Sequence, residues 1–434
     1  MIILAIDTSC DDTCVALLKT ELPMEATRRD KSLLHPSLRL GQLKKRTKSS
    51  SPIKNWRAKR GFSSSPLLLS AEARKLKILS NIVSSQAKLH AKYGGVYPSL
   101  AKREHQKNLP LVFRKALKEA KLALSDSRRV DLIGVTIGPG LEPCLWQGVN
   151  FAKELAERLK KPLVSVNHIE AHILANFINK EIKNWSPPAR HLLKIKNYFP
   201  AICLVVSGGH TQLTLMRDIG KYELVGETRD DAAGECFDKA ARILGLGYPG
   251  GPAIAAEAAR CKIKDLRFKI YLPRPMIYQK NYDFSFSGLK TAVLYDFRSR
   301  SSKIRESKKY IRAMCAEIQQ AIIDVLIHKT LKAAKNFKAK SVILGGGVTA
   351  NNELRKQFQE KVKKELPNIQ YLTPNIKFCT DNAAMVAATA FFHRKLEKAA
   401  FAKASASQSW QKIKVNANLK IGDEVYPLRG LPSS

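Results

Sequence analysis

The chain reads as an α/β protein of two similar lobes with a ligand cleft between them. Three observations predict this. A strand, a polar turn and a return strand occur in residues 2–18 and again in residues 201–216. After intervening helices, each half carries a strand, a glycine turn and a helix, at Gly138-Pro139-Gly140 and at Gly345-Gly346-Gly347. The 434 residues, 44% hydrophobic, suffice for two or three domains with large cores. The duplication is one of pattern, and such glycine turns converge on a cleft. The expected boundaries are 1–200 for the first lobe, 201–395 for the second and 396–434 for a polar tail.

Residues 2–6 form the first strand, and Cys14 to Leu18 return as the second. The turn between them, Asp7-Thr8-Ser9-Cys10-Asp11-Asp12-Thr13, holds three carboxylates and three hydroxyls. A structural turn needs one Asp; this cluster suits a cation, a ribose or a phosphate. From 20 to 74 periodicity vanishes, with thirteen Lys/Arg against four Asp/Glu and nine Ser. That composition predicts a disordered or loosely held insertion, either an RNA-binding arm or a dispensable linker. A helix through Ile82, Val83, Ala87 and Leu89 then ends at Tyr93-Gly94-Gly95-Val96-Tyr97-Pro98. A second helix covers Glu104 to Ala123. A buried strand over Asp131–Ile137 follows, and its Gly-Pro-Gly turn into a helix is a phosphate-binding arrangement, though weak as a lone motif.

The apolar run Pro162–Val166 is a buried strand that leads into Asn167-His168-Ile169-Glu170-Ala171-His172. Ile169, Ile173 and Phe177 recur every four residues and mark a helix's buried face. His168 and His172 share a side one turn apart, beside that stripe. Two neutral imidazoles so placed can share one ion, or can be two unrelated histidines of an amphipathic helix. A metal reading requires a third ligand from elsewhere.

In the second half, Ala201–Val206 and Gln212–Met216 flank the turn Ser207-Gly208-Gly209-His210-Thr211. The block Asp230–Lys239 opens a helix, and Tyr248-Pro249-Gly250-Gly251-Pro252 is a turn. Asp238 before that turn can hold sugar hydroxyls or simply belong to a capped helix. Asp381 stands at a helix start, where it is an N-cap or a free carboxylate available as third metal ligand. As part of the second lobe, Asp381 would let an ion shared with the histidines tie the lobes together.

Lys+Arg number 75 against 37 Asp+Glu, a net charge of +38. This points to a polyanionic partner, most simply nucleic acid, or to a generally basic proteome. The eight cysteines form no C-x-x-C pair, which fits reduced thiols rather than a disulfide framework. The start, MIILAIDTSCDD, lacks the basic region of a signal peptide, and no apolar run approaches 18 residues. The expectation is a cytoplasmic protein that does not engage a membrane.

The segments DTSCDDT, KLHAKYGGVYP, GPGL, HIEAH, LVVSGGHTQL, GETRDDAAGECFDKAARILGLGYPGGP, FSFSGLKTA, LGGGVTAN and FCTDNAAM occur in this order over about residues 1–19 and 75–395. Together they resemble the tRNA N(6)-adenosine threonylcarbamoyltransferase family, and the match is specific because several segments are long and unusual. The resemblance implies two actin-like/sugar-kinase-like (ASKHA) lobes. It implies one divalent metal, iron favoured and zinc the alternative, on His168, His172 and Asp381. It implies substrate contacts at Val205, Val206, Ser207, Gly208, Gly209, Asp238, Gly251 and Asn351. It also implies two partner proteins, a related noncatalytic ASKHA protein and a small ATPase. Ser99, where the family has Glu, and Glu142 and Pro143, where it has small residues, depart from the pattern, and the 20–74 insertion is foreign to it.

The implied reaction moves a threonylcarbamoyl group from threonylcarbamoyl-AMP to the exocyclic amine of the adenosine 3′ of the anticodon, in tRNAs reading codons that begin with A. AMP leaves. The general base is open, with Asp11 and Asp12 as candidates. Two other classes compete. A zincin peptidase needs H-E-x-x-H, whereas here the order is H-x-E-x-H, and Glu170 falls about 200° around the helix from His168. A kinase-like or nucleotide-binding scaffold would need no imidazoles for magnesium chemistry.

Overall fold

The computed structural model describes residues 1–21, 75–123, 129–178, 197–262, 268, 270–403 and 412–423. All but the first two residues of the expected 20–74 insertion, and much of the tail, therefore lie outside the described residues.

Strands β1 (Ile2–Asp7), β2 (Asp12–Glu21), β3 (Lys75–Ser85), β4 (Leu132–Gly138) and β5 (Leu163–Asn167) form one sheet in the order β3-β2-β1-β4-β5. The first three strands are an antiparallel meander, and β1, β4 and β5 are parallel. Strands β6 (Ala201–Val206), β7 (Thr211–Asp218), β8 (Lys221–Glu227), β9 (Ser341–Gly345) and β10 (Gln370–Leu372) form the second sheet. Its order, β8-β7-β6-β9-β10, and its strand directions repeat the first. A meander of three followed by two crossover strands, twice over, is the duplicated ASKHA topology. The repeat legible in the turns is thus a structural repeat.

The helices that position the site are α1 (Pro98–Glu119), α2 (Glu142–Leu159), α3 (His168–Leu174), α4 (Ala233–Ile243), α5 (Gly250–Ala259), α6 (Ser287–Ser299), α7 (Lys308–Asn336), α8 (Asn352–Glu365) and α9 (Ala383–Lys403). Strand alternation sorts the first core into two layers. Leu4 and Ile6 face α1 and α2 through Val112, Ala116, Val149 and Ala152. Ile3 and Ala5 face α9 through its alanine-rich start, Ala383 to Ala388. In the second lobe Ile202 and Leu204 face α4 and α7.

Helix α3 is shared by the two lobes. Ile169, Ile173 and Leu174 pack with Phe177 against Ala201, Cys203 and Val205 of β6 and Ile343 of β9. On its other side Ala171 joins α9 and the first sheet. Burying Ile169 or Ile173 contributes about 1.5–3 kcal/mol each to holding α3 between the sheets. At Gly345 an added Cβ would lie 2.8 Å from the His172 carbonyl oxygen, so glycine lets β9 approach α3 this closely.

Four features differ from the sequence expectation. Residues 75–85 are the edge strand β3, where a helix through Ile82 and Val83 was expected. The spacing of Leu76, Leu79, Ile82 and Val83 fits a helical face, and pairing with β2 overrides it. Strand β8 alternates only over Lys221–Leu224 before Val225 and Gly226 break the pattern, and it was not expected. Helix α9 follows the second lobe in sequence but packs on β1, β2, β4 and β5, so the first lobe takes chain from both ends. Lastly, Leu419 and Ile421 of the expected polar tail are buried in the core.

Candidate metal centre

Strand β5 delivers the chain directly into α3. Asn167 ends the strand and caps the helix, its Oδ1 accepting from the Ile169 and Glu170 amides at 2.9 and 3.2 Å. Its Nδ2 donates to the Lys420 carbonyl, which ties the cap to the 412–423 segment. His168 and His172 then project one turn apart with ring centroids 4.6 Å apart, edge to face. Both are buried, at 6% and 1% exposure, although they stand beside the apolar stripe rather than at its centre. The burial comes from the second lobe covering α3.

Asp381 is the third member. Its Oδ1 lies 3.4 Å from His168 Nε2 and 3.3 Å from His172 Nε2. The alternative role as N-cap falls to its neighbour, because Asn382 Oδ1 accepts from the Met385 amide at 3.0 Å. One ligand atom from each of His168, His172 and Asp381 lies within 4.8 Å of the others. Among the described residues, Nδ1 of the buried His172 has no hydrogen-bond partner, and Nε2 has only Asp381 Oδ1 at 3.3 Å. Unpartnered buried nitrogens cost free energy unless something binds them. Two imidazoles and a carboxylate suit a borderline divalent ion such as iron or zinc and leave coordination positions open, so the residues fit the implied metal. Because Asp381 immediately precedes α9, all three ligands belong to elements on the first sheet. An ion here sits at the lobe junction but is not held by both lobes, contrary to the expectation from chain order.

Asp7, at the end of β1, belongs to the carboxylate turn that the sequence marks as suited to a cation, ribose or phosphate, though it was not singled out there as a site residue. Its Oδ2 lies 3.3 Å from His168 Nδ1, on the far side of the ring from Asp381. A carboxylate behind a metal-ligating imidazole fixes the ring and its tautomer. Its sequence signal was its place in the three-carboxylate turn between β1 and β2. Burial pushes His168 down, but Asp381 and Asp7 outweigh it and raise the imidazole to about 10. Burial pushes Asp381 up, and the two imidazoles outweigh it and hold the carboxyl well below the usual range. His172, mainly through burial, is lowered.

Around the centre, Asp11 and Asp12 fall on the same turn. Burial raises both, Asp12 to about 7 despite a Ser85 hydrogen bond. His210, another residue not expected, lies within electrostatic reach of the pair. Burial and then the nearby His168 and His172 lower it to about 4. The Ser207–Gly209 turn is closed by Ser207 N donating to the His210 carbonyl, and a Cβ on Gly208 or Gly209 would meet nothing within 4 Å. Val205 and Val206 are fully buried behind that turn. Asp238 Oδ1 accepts from the Gly250 amide at 2.7 Å, and burial raises its carboxyl although Gly250 and Gly251 amides oppose this. Asn351 is engaged elsewhere. Its Oδ1 caps α8 at Leu354 N, and its Nδ2 donates to Gln319 at 2.7 Å. The Gly-Pro-Gly turn does not offer a phosphate its amides, because Gly140 N donates to the Ala417 carbonyl. Glu170 faces away from the ligand pair, its Oε1 accepting from Tyr222 Oη at 2.8 Å and paired with His393 Nε2 at 2.9 Å. It is therefore in no position to activate a metal-bound water, which disfavours the peptidase reading.

Fold and site together define a two-lobed ASKHA protein with a candidate His–His–Asp metal centre where its interlobe helix meets the start of α9. The family described as TsaD, tRNA N6-adenosine threonylcarbamoyltransferase, matches residues 77–388. A protein of that name from Syntrophomonas wolfei is 45% identical over 318 residues, covering 73% of this chain and 86% of the relative. Another, from Thermosipho melanesiensis, is 42% identical over 387 residues, covering 89% and 93%. The chain belongs to the tRNA N6-adenosine threonylcarbamoyltransferase family. Among solved structures, T. kodakarensis HypF aligns at a TM-score of 0.43 with 14% identity, over 66% of this chain and 44% of that one. YeaZ from Pseudomonas aeruginosa aligns at 0.23 with 16% identity, over 52% and 65%.

Proposed function

We propose that this chain transfers the threonylcarbamoyl group from threonylcarbamoyl-AMP to the exocyclic amine of the adenosine 3′ of the anticodon, in tRNAs reading codons that begin with A, releasing AMP. The observation that carries the reading is the meeting of His168, His172 and Asp381 beside the Ser207–Gly209 turn, in a chain of this family. A kinase or nucleotide-binding scaffold has no need of that donor set.

His168, His172 and Asp381 would hold one divalent ion, iron by preference and zinc as the alternative. When bound, the ion supplies Lewis acidity toward the carbamoyl carbonyl or the leaving phosphate. Asp7 keeps His168 in its ligating orientation. The exposed Gly208 and Gly209 backbone lies against the adenylate, with Val205 and Val206 beneath it. Asp238 holds the ribose with the oxygen not used by Gly250, and Gly251 leaves room for the nucleotide. Asn351 fixes the start of α8 at the same wall. Asp11 and Asp12 are the proton acceptors for the attacking amine. Burial brings Asp12 close to working pH, where a general base is most effective. The reaction belongs in the cytoplasm. No described helix is long and apolar enough to cross a membrane. A related noncatalytic ASKHA protein and a small ATPase complete the working complex.

The test is reconstitution with transcript tRNA, threonine, bicarbonate, ATP and the synthase and partner proteins, read by nucleoside mass spectrometry. The expected product is threonylcarbamoyladenosine, dependent on this chain and on added iron or zinc. Its absence with every component present overturns the reading.

A further inference from the structure

Tyr93 and Tyr97 are large, exposed and unused by the chemistry above. They are 61% and 53% exposed, and their rings stack with centroids 5.6 Å apart and planes 26° apart. Isolated surface aromatics are ordinary. A stacked, solvent-facing pair has no packing role and presents a flat π surface to whatever docks there.

The position of the pair is fixed from two directions. Tyr97 N donates to His90 Nδ1 at 3.3 Å, and His90 Nε2 lies 3.1 Å from Gln86 Oε1. Gln86 N in turn donates to the Asp11 carbonyl at 3.1 Å. The turn carrying the tyrosines is thereby linked to the loop beside the metal centre. On its other side the Gly94 carbonyl accepts from Arg242 of α4, in the second lobe. The pair thus stands on a turn that reaches from one lobe to the other near Asp11 and Asp238. The flanking surface is cationic. Lys88, Lys92, Lys102, Arg103 and Lys107 are all exposed, and the one acidic residue in this stretch, Glu104, is half buried.

We infer that the Tyr93–Tyr97 pair, with these flanking cations, is a stacking platform for the single-stranded loop of the RNA acceptor, holding a base next to the target adenosine. The inference rests on the transfer reading and adds the place where the acceptor docks. The cations neutralise phosphates, and the rings stack unpaired bases, as in single-strand recognition generally. A base already stacked outside the cleft would present its neighbour to the site in a splayed conformation.

The experiment uses the full chain and an anticodon stem-loop RNA, with binding measured by fluorescence anisotropy at several salt concentrations. The Tyr93→Ala/Tyr97→Ala double variant should bind about tenfold more weakly or worse, the scale of one or two missing base stacks. The Tyr93→Phe/Tyr97→Phe variant should bind like wild type, since the ring and not the hydroxyl is used. Lys88→Ala/Lys92→Ala should lower the salt dependence of binding by about one unit of slope for each phosphate left without its cation. In reconstituted transfer, the alanine variant should raise KM for tRNA and leave metal content and melting temperature unchanged. Unaltered RNA binding in the double alanine variant overturns the inference. So does RNA binding that disappears together with metal or fold, or RNA binding retained while assembly with a partner protein fails. Failure of the transfer reading shows separately, as wild-type protein that makes no modified nucleoside whatever its RNA binding.

Discussion

At the residue scale the centre is a line of charge, Asp7–His168–Asp381, with His172 alongside. The order assigns different expected effects to two carboxylates. Asp381 faces both imidazoles at 3.3–3.4 Å, so Asp381→Asn removes the anionic donor. Asp7 touches only the back of His168, so Asp7→Asn loosens a ligand without removing one. Loss of such an outer partner costs about 10–100-fold in metal affinity, and loss of a direct ligand should cost at least as much. The measurement is iron and zinc affinity by competition with a chelator, with melting temperature recorded on the metal-free proteins. The expected ranking is wild type, then Asp7→Asn, then Asp381→Asn. The metal-free Asp381→Asn protein should also melt below wild type at neutral pH, because it loses the carboxylate that pairs with both buried imidazoles, although Asn382 keeps the cap. Wild-type affinity in Asp381→Asn would remove it from the ligand set.

At the element scale, α7 holds the second lobe through an interaction that makes its own pH prediction. Lys329 on this helix is fully buried, and its Nζ donates to the Asn281 carbonyl at 2.9 Å, with no carboxylate bonded to it among the described residues. Burial, and then the neighbouring Lys332, lower it to about 8. The folded state therefore binds the proton less tightly than the unfolded chain, where lysine titrates near ~10.4. The cost of the buried charge is fully present below about pH 8 and is relieved as pH rises toward ~10.4. Stability measured by urea unfolding from pH 7 to 10 should show wild type gaining on Lys329→Met across this window. A difference that stays constant with pH would mean that Lys329 keeps its proton throughout.

At the scale of the whole molecule, the basic insertion enters and leaves the fold far from the centre. Glu21 pairs directly with Lys75 at one end of β2–β3, while Asp12 pairs with Ser85 at the other. Nine residue steps of β2 separate the ends, about 30 Å. A two-residue turn can join adjacent antiparallel strands, so replacing residues 22–74 by Asn-Gly should close the hairpin without strain. The expected result is unchanged metal stoichiometry and a melting temperature within a few degrees of wild type. Loss of the fold on deletion would show that the segment contributes core. RNA affinity of the same variant then measures whether its thirteen basic residues act as an arm.

Much of this protein was legible in the chain itself. The two hairpins and two glycine turns predicted the duplicated lobes, because polar turns and period-two strands are local features. The four-residue spacing in His168–His172 predicted a shared face, because helix geometry alone sets it. Other features were decided only by contacts between distant segments. Residues 75–85 became a strand because β2 offered an unpaired edge. Asp381 came to the first-lobe histidines because α9 lays its alanines against β1 and β4, a choice made by packing volume and invisible to chain order. His168 and His172 became buried because β6 and β9 close over α3, with Gly345 permitting the approach. Asp7 became the carboxylate behind His168 because β1 and β5 flank β4 in one sheet. Spacing along the chain determined which residues could cooperate, and the sheet order with its cross-lobe packing decided which of them met.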